Sequence, residues 1–253
     1  MLILPPGKRP LHPDFYELAD YFGPLMHYDW CDSDDDKGHE EAERYRTNED
    51  FVRMTHVFLY QNIGLMEQGI HRPYIAHLLR LTADLGPMSV IEVGPAAGQL
   101  GLALHTLGFR VSFADIWSQS LMFLIWRLHR RRLNLPVYVW DSRLTVIPQH
   151  DFAICFDVLE HLTTFEEQTK TLDELAKVGL VVMINLVLEE ESHGAHTALD
   201  APRIIQYIKS KWDPVAVEDH YPDANGVPRQ KLVIYGARVE AVTDTPLLEG
   251  PGP

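Results

Sequence analysis

The sequence predicts an α/β protein: a doubly wound, mostly parallel sheet of seven strands behind an N-terminal helical lobe. Three observations carry this. From Met88 onward, short apolar runs alternate with amphipathic stretches, the pattern of a parallel sheet covered on both faces. The run Leu180 to Leu186 is apolar enough to be a strand buried on both sides. Two last strand-like segments, Val215 to Glu218 and Lys231 to Ala237, flank a loop containing Asn225-Gly226 and read as an antiparallel pair.

The helical lobe spans residues 1–86. Pro13 to Tyr21 forms a short helix that Gly23-Pro24 ends. Asn48 caps a longer one, with Phe51, Met54, Val57, Phe58 and Leu65 at helical spacing. Pro73 starts a third, with Ile75, Leu78, Leu79 and Thr82 on one face, and Gly86-Pro87 stops it. No flexible linker follows, so the lobe is expected to pack on the sheet domain, residues 87–240.

In that domain Val90 to Val93 is the first strand, followed by a helix to Leu107 that Gly108 ends. Phe109 to Ala114 is the second strand, ending in Asp115, and a helix runs from Ser118 to Arg132. Pro136 to Trp140 is the third, ending in Asp141. Phe152 to Phe156 is the fourth, ending in Asp157. Thr163 and Thr164 each have a Glu three residues on, a capping signal for a helix to Lys177. Asp200-Ala201-Pro202 opens a helix to Lys211 after the fifth strand. Residues 241–253, closing in Gly250-Pro251-Gly252-Pro253, read as a disordered tail.

Composition excludes several classes. A net charge of −14 argues against a nucleic-acid binder, which needs a basic footprint. Two distant cysteines, Cys31 and Cys155, make neither a disulfide framework nor a zinc module and fit a reducing cytoplasm. No signal peptide and no apolar run of roughly 18 residues is present, so no membrane partner is expected. The acidic stretch within 32–43 fails as a calcium loop: with Gly38 at the turn, Ser33 stands first and Arg44 falls where the bidentate Glu belongs. It reads as a solvated face.

The chemistry centres on Glu92-Val93-Gly94-Pro95-Ala96-Ala97-Gly98. Gly98-Gln99-Leu100 lacks the Lys and hydroxyl of a P-loop. A dinucleotide fingerprint counted from Gly94 meets Ala96 and then Gln99, a poor match. Acid-x-Gly-x-Gly-x-Gly fits, with Ala96 at the middle Gly. With Asp115, Asp141-Ser142 and Phe156-Asp157-Val158-Leu159-Glu160-His161 on successive strand ends, residues 88–238 resemble the class I S-adenosylmethionine-dependent methyltransferases.

That resemblance implies cofactor contacts from Glu92, Gly94, Pro95, Ala96, Gly98 and Ile116, with Phe156 and Asp157 beside them. It gives Asp115 the ribose hydroxyls and Asp141-Ser142 the adenine amine. It implies methylation of an O, N or C atom of a small molecule, by a monomer or homodimer. His161 is the candidate general base, because imidazole titrates near neutrality, with Asp157 and Glu160 beside it. Alternatively, His161 and Glu160 brace the helix that follows.

A magnesium or other divalent-metal option would gather Asp157, Glu160 and His161 with His193 or His196, resembling the metal-assisted sites of some small-RNA 3′-end methyltransferases. The alternatives are thus a metal-dependent RNA-end methyltransferase and a non-catalytic partner subunit. Arg127, Arg130, Arg131 and Arg132 read as cations at a helix C-terminus or as a phosphate patch. Phe15, Tyr16, Tyr21, His27, Tyr28, Trp30, His56 and Tyr60 read as a lid over the pocket or as plain core.

Overall fold

A computed structural model describes residues 13–22, 59, 63, 71–86, 88–141, 146–188, 199–212, 215–222 and 228–236. The acidic stretch 32–43, the residues named for the helix capped by Asn48, the Asn225-Gly226 loop and the tail lie outside these residues.

The strands are β1 (Ser89–Val93), β2 (Arg110–Asp115), β3 (Val137–Val139), β4 (His150–Cys155), β5 (Gly179–Val187), β6 (Ala216–Pro222) and β7 (Pro228–Gly236). They form one sheet in the order β3-β2-β1-β4-β5-β7-β6. The first five are parallel, while β7 pairs antiparallel with both β5 and β6. The helices are α1 (Pro13–Phe22), α2 (Arg72–Thr82), α3 (Gln99–Thr106), α4 (Gln119–Arg130), α5 (Phe165–Val178) and α6 (Ala201–Lys211).

Side chains alternate along each strand, so one sheet serves two apolar layers. Val90, Phe113, Ile154 and Met183 meet α2, α3 and α4 through Leu78, Leu104 and Leu128. Ile91, Ala153, Val182 and Tyr235 meet α5 and α6 through Leu172, Leu175, Ile204 and Ile208.

Helix starts follow local chemistry. The Ser118 hydroxyl accepts the Leu121 N–H, and the Asp200 carboxylate accepts the Arg203 N–H. A reciprocal capping box joins Thr164 and Glu167 at α5, so of the two threonines Thr164 is the cap. Arg132 adopts φ 56° just past α4, in the left-handed conformation that often follows a helix end.

Two expectations need correction. Strand β3 is shorter than Pro136 to Trp140, although both end residues still hydrogen-bond to β2; the Asp141 N–H turns back to the Val139 carbonyl just beyond. Helix α2 buries Tyr74, His77, Leu78 and Thr82, while Leu79 is 40% exposed and Ile75 half-buried. Tyr74 and His77 turn inward because their polar tips find partners: the Tyr74 hydroxyl donates to Gln230, and His77 lies 3.4 Å from the Glu218 carboxylate.

Candidate functional site

In the order above, β1 leads outward to β2 on one side while β4 continues on the other, so β1/β4 is the switch point. Clefts at the carboxyl ends of strands beside such a point are where open α/β sheets bind ligands. Glu92, Asp115 and Asp157 gather there from the ends of β1, β2 and β4.

The loop after β1 is held by several hydrogen bonds. Gly94 and Gly98 take φ of 73° and 75°, and Ala96 between them takes 47°. Ala96 thus adopts the left-handed backbone that Gly usually fills, at a strain of about 1–3 kcal/mol. The Gly94 N–H donates to the Ala114 carbonyl at 2.9 Å, and the Gly98 N–H to the Pro95 carbonyl at 2.6 Å. A Cβ on Gly94 would lie 2.3 Å from a Val158 methyl, and one on Gly98 2.4 Å from a Leu124 methyl. Both glycines therefore let the loop nest between β4's exit and α4.

Glu92 is buried, and its carboxylate accepts the Gly101 N–H at 2.8 Å, tying β1 to the first turn of α3. Burial pushes its carboxyl up to about 8 despite that bond. Asp115 accepts the Ile116 N–H at 2.7 Å. Burial pushes this carboxyl up to about 7. Asp141 ends β3 half-buried, and Ser142 lies outside the described residues. The carboxamide of Gln99 is 6% exposed and has no partner for its N or O among the described residues.

Asp157 leaves β4 at φ 53°. Its N–H donates to Asn185 Oδ1 at 2.7 Å, Asn185 Nδ2 donates back to Asp157 Oδ1 at 2.5 Å, and His71 Nε2 lies 3.1 Å from Oδ2. Burial alone would raise this carboxyl. Hydrogen bonds from His71 and Asn185, together with the nearby His71 and His161 charges, outweigh it and hold Asp157 below the usual carboxylate range. Phe156 packs against Tyr74 with ring centroids 4.5 Å apart. Leu159–His161 forms one 3₁₀ turn, in which Glu160 is 1% exposed and His161 half-buried.

Among the described residues no group of three His, Cys, Asp or Glu side chains is arranged to hold a metal ion, and His193 and His196 lie outside them. Arg127 lies in the last turn of α4, where a cation at a helix C-terminus is expected, and it is buried. Its side chain is 0% exposed, with Nε donating to Glu17 at 2.5 Å and NH1 to the Ala97 carbonyl at 2.6 Å. Arg131 also binds Asp14 and Glu17, each at 2.7 Å. Of the aromatic lobe, Tyr21 is half-buried and packs edge-on to Phe123, while His27, Tyr28, Trp30, His56 and Tyr60 lie outside the described residues.

Sequence reading missed His71, Asn185, Gln230 and the Asp14/Glu17 pair. Asn185 had a signal, as the lone polar residue in the Leu180–Leu186 run. Asp14 and Glu17, one turn apart in a helix, carried a weaker one.

No family model matches the sequence, and no curated protein does. Solved structures do. Magnesium protoporphyrin IX methyltransferase from Synechocystis PCC 6803, with bound SAM, superposes at TM-score 0.55 and 16% identity, over 90% of this chain and 99% of that one. PigF with SAH gives TM-score 0.56 and 13% identity, over 76% of this chain and 62% of that one. WbdD, co-crystallised with a kinase inhibitor, gives TM-score 0.50 and 20% identity; 65% of this chain aligns, and the match spans 40% of that protein's length. Among the described residues no helix is long and apolar enough to cross a membrane. The sheet order and these superpositions identify the chain as having the class I methyltransferase fold.

Proposed function

We propose that the chain binds S-adenosylmethionine at the β1/β4 switch point and methylates a small molecule. The observation that carries this is the bond between the Gly94 N–H and the Ala114 carbonyl, which sets the left-handed Gly/Ala loop beside Asp115, the acceptor at the end of β2. The residues fit the cofactor. Asp115 presents a carboxylate suited to paired ribose hydroxyls, and Asp141 an acceptor suited to the adenine amine. Gln99 holds a buried carboxamide that has no partner among the described residues, a donor and an acceptor for the amino-acid end.

The cofactor supplies an electrophilic methyl group on a sulfonium, so the protein's share is to position the nucleophile and take its proton. His161, half-buried one turn from Asp157, is the proposed proton acceptor, with Asp157 and Glu160 beside it. A His161→Gln variant should retain cofactor affinity while kcat falls at least a hundredfold, the usual scale of general-base loss; an unchanged kcat would remove His161 from the mechanism. A small-molecule substrate is favoured by the net charge of −14 and by the near full-length likeness to a porphyrin methyltransferase.

Calorimetry with S-adenosylmethionine and its demethylated product tests the reading, and failure of both to bind sinks it. A labelled methyl donor incubated with cell extract, read by mass spectrometry, then identifies the acceptor. Filter binding of short RNAs across a salt series should give no steep salt slope.

A further inference from the structure

Helix α1 touches the β1–α3 loop by two routes. The apolar route packs Leu18 with Ala97 and Phe123, all fully buried, together with Leu59 and Ile63. The polar route runs through Arg127. Its guanidinium faces Asp14 and Glu17 of α1 on one side and the Ala97 carbonyl on the other. Arg131, capping the end of α4, holds the same two carboxylates, so two acids and two guanidinia neutralise one another in a largely buried cluster.

This arrangement makes the loop's shape depend on α1. Arg127 is completely buried, and every acid that pairs with it among the described residues belongs to α1. Were α1 to lift away, the guanidinium would be a buried unpaired charge and would turn toward water. The Ala97 carbonyl would then lose its donor. Ala97 sits between Ala96 at φ 47° and Gly98 at φ 75°, backbone that persists only where its surroundings over-determine it. The Gly94 N–H ties the start of this loop to the Ala114 carbonyl, and Arg127 holds its far end at the Ala97 carbonyl.

We infer that α1 and the Ala96–Gly98 loop are one coupled unit, with Arg127 the positioning residue that transmits docking of α1 to the loop. By linkage, any ligand that prefers the docked loop also favours docked α1 by the same factor. The ligand half of this inference rests on the proposed S-adenosylmethionine site; the coupling itself does not.

The test uses the full chain with Asp14→Asn and Glu17→Gln together, which remove the charges at little change in volume. Leu18→Ala serves as a second variant, weakening α1 docking without touching the ion cluster. Hydrogen exchange is followed by mass spectrometry without ligand on segments 13–22 and 94–98. Both variants should speed exchange in both segments, the loop by about tenfold, a usual coupling factor, while 179–187 keeps its wild-type rate. Faster exchange in 13–22 with an unchanged loop overturns the coupling. In a second arm, S-adenosylhomocysteine should slow exchange in wild-type 13–22 and bind the charge variant about tenfold more weakly; equal affinity also overturns it. Wild-type protein that fails to bind overturns the methyl-donor reading, and the ligand-free arm alone then decides the coupling.

Discussion

Asp157 and Asn185 hold each other through two hydrogen bonds of opposite direction, main chain to side chain at 2.7 Å and side chain to side chain at 2.5 Å. The pair joins the ends of β4 and β5 and fixes Asp157 in its left-handed backbone. Asn185 is 1% exposed, so truncation leaves a carboxylate and a main-chain N–H in place without their partner. Asn185→Ala should lower unfolding free energy by about 2–3 kcal/mol, the scale of a hydrogen bond to a charged group, measured by urea denaturation. A loss within error would mean that His71 alone holds Asp157.

Asp115 offers a pH-resolved test of the cofactor site. Burial raises its carboxyl to about 7, and the ionised form, with both oxygens free to accept, is the stronger acceptor for paired ribose hydroxyls. S-adenosylhomocysteine should therefore bind more tightly as pH rises from 6 to 8, by at most about tenfold per unit below the folded pKa. Asp115→Asn should bind weakly with no pH dependence between those limits. Titration calorimetry at several pH values reads both, and a flat wild-type profile would contradict the assignment.

Glu92 predicts a stability trend of defined sign. Its carboxyl stands at about 8 when folded, against an ordinary value of 4.5. Between those pH values the folded chain holds a proton that the unfolded chain has lost, so stability falls as pH rises. Glu92→Gln should flatten this part of the curve, because the amide stays neutral and retains an oxygen for the Gly101 N–H. Thermal melts of ligand-free protein from pH 5 to 8 would reveal the difference, and parallel curves for the two proteins would refute it.

Gly101 is held by crowding, its backbone dihedral not being left-handed. A Cβ there would meet Phe113 at 2.3 Å and the Glu92 carboxylate at 2.5 Å. Gly101→Ala should destabilise the protein by about 1–3 kcal/mol through overpacking and should weaken cofactor affinity by displacing Glu92. Denaturation with parallel binding measurements tests this, and an alanine variant of wild-type stability would mean that Phe113 yields.

The strand ends were legible because burial and alternation leave a strong local trace. Asp115 and Asp157 were found by counting along the chain. What the sequence concealed depends on residues far apart in it. His71 reaches Asp157 across 86 positions, and Glu17 reaches Arg127 across 110. Ala96 looked like a departure from a glycine pattern; its φ of 47° shows the backbone role kept with the methyl retained. Four basic residues near a helix end do not reveal which one is buried until the acids of α1 that pair with Arg127 are known.

Strand β7 has a consequence for how the protein is made. It is the last of the described strands, yet it sits between β5 and β6 and pairs with seven consecutive residues of β5, Val181 to Val187. A ribosome releases β5 well before β7, so a nascent chain carries an apolar, unpaired strand edge until synthesis passes Gly236. Chaperone demand during translation should therefore peak in the interval between those two strands, and a translational pause placed there would favour aggregation over yield.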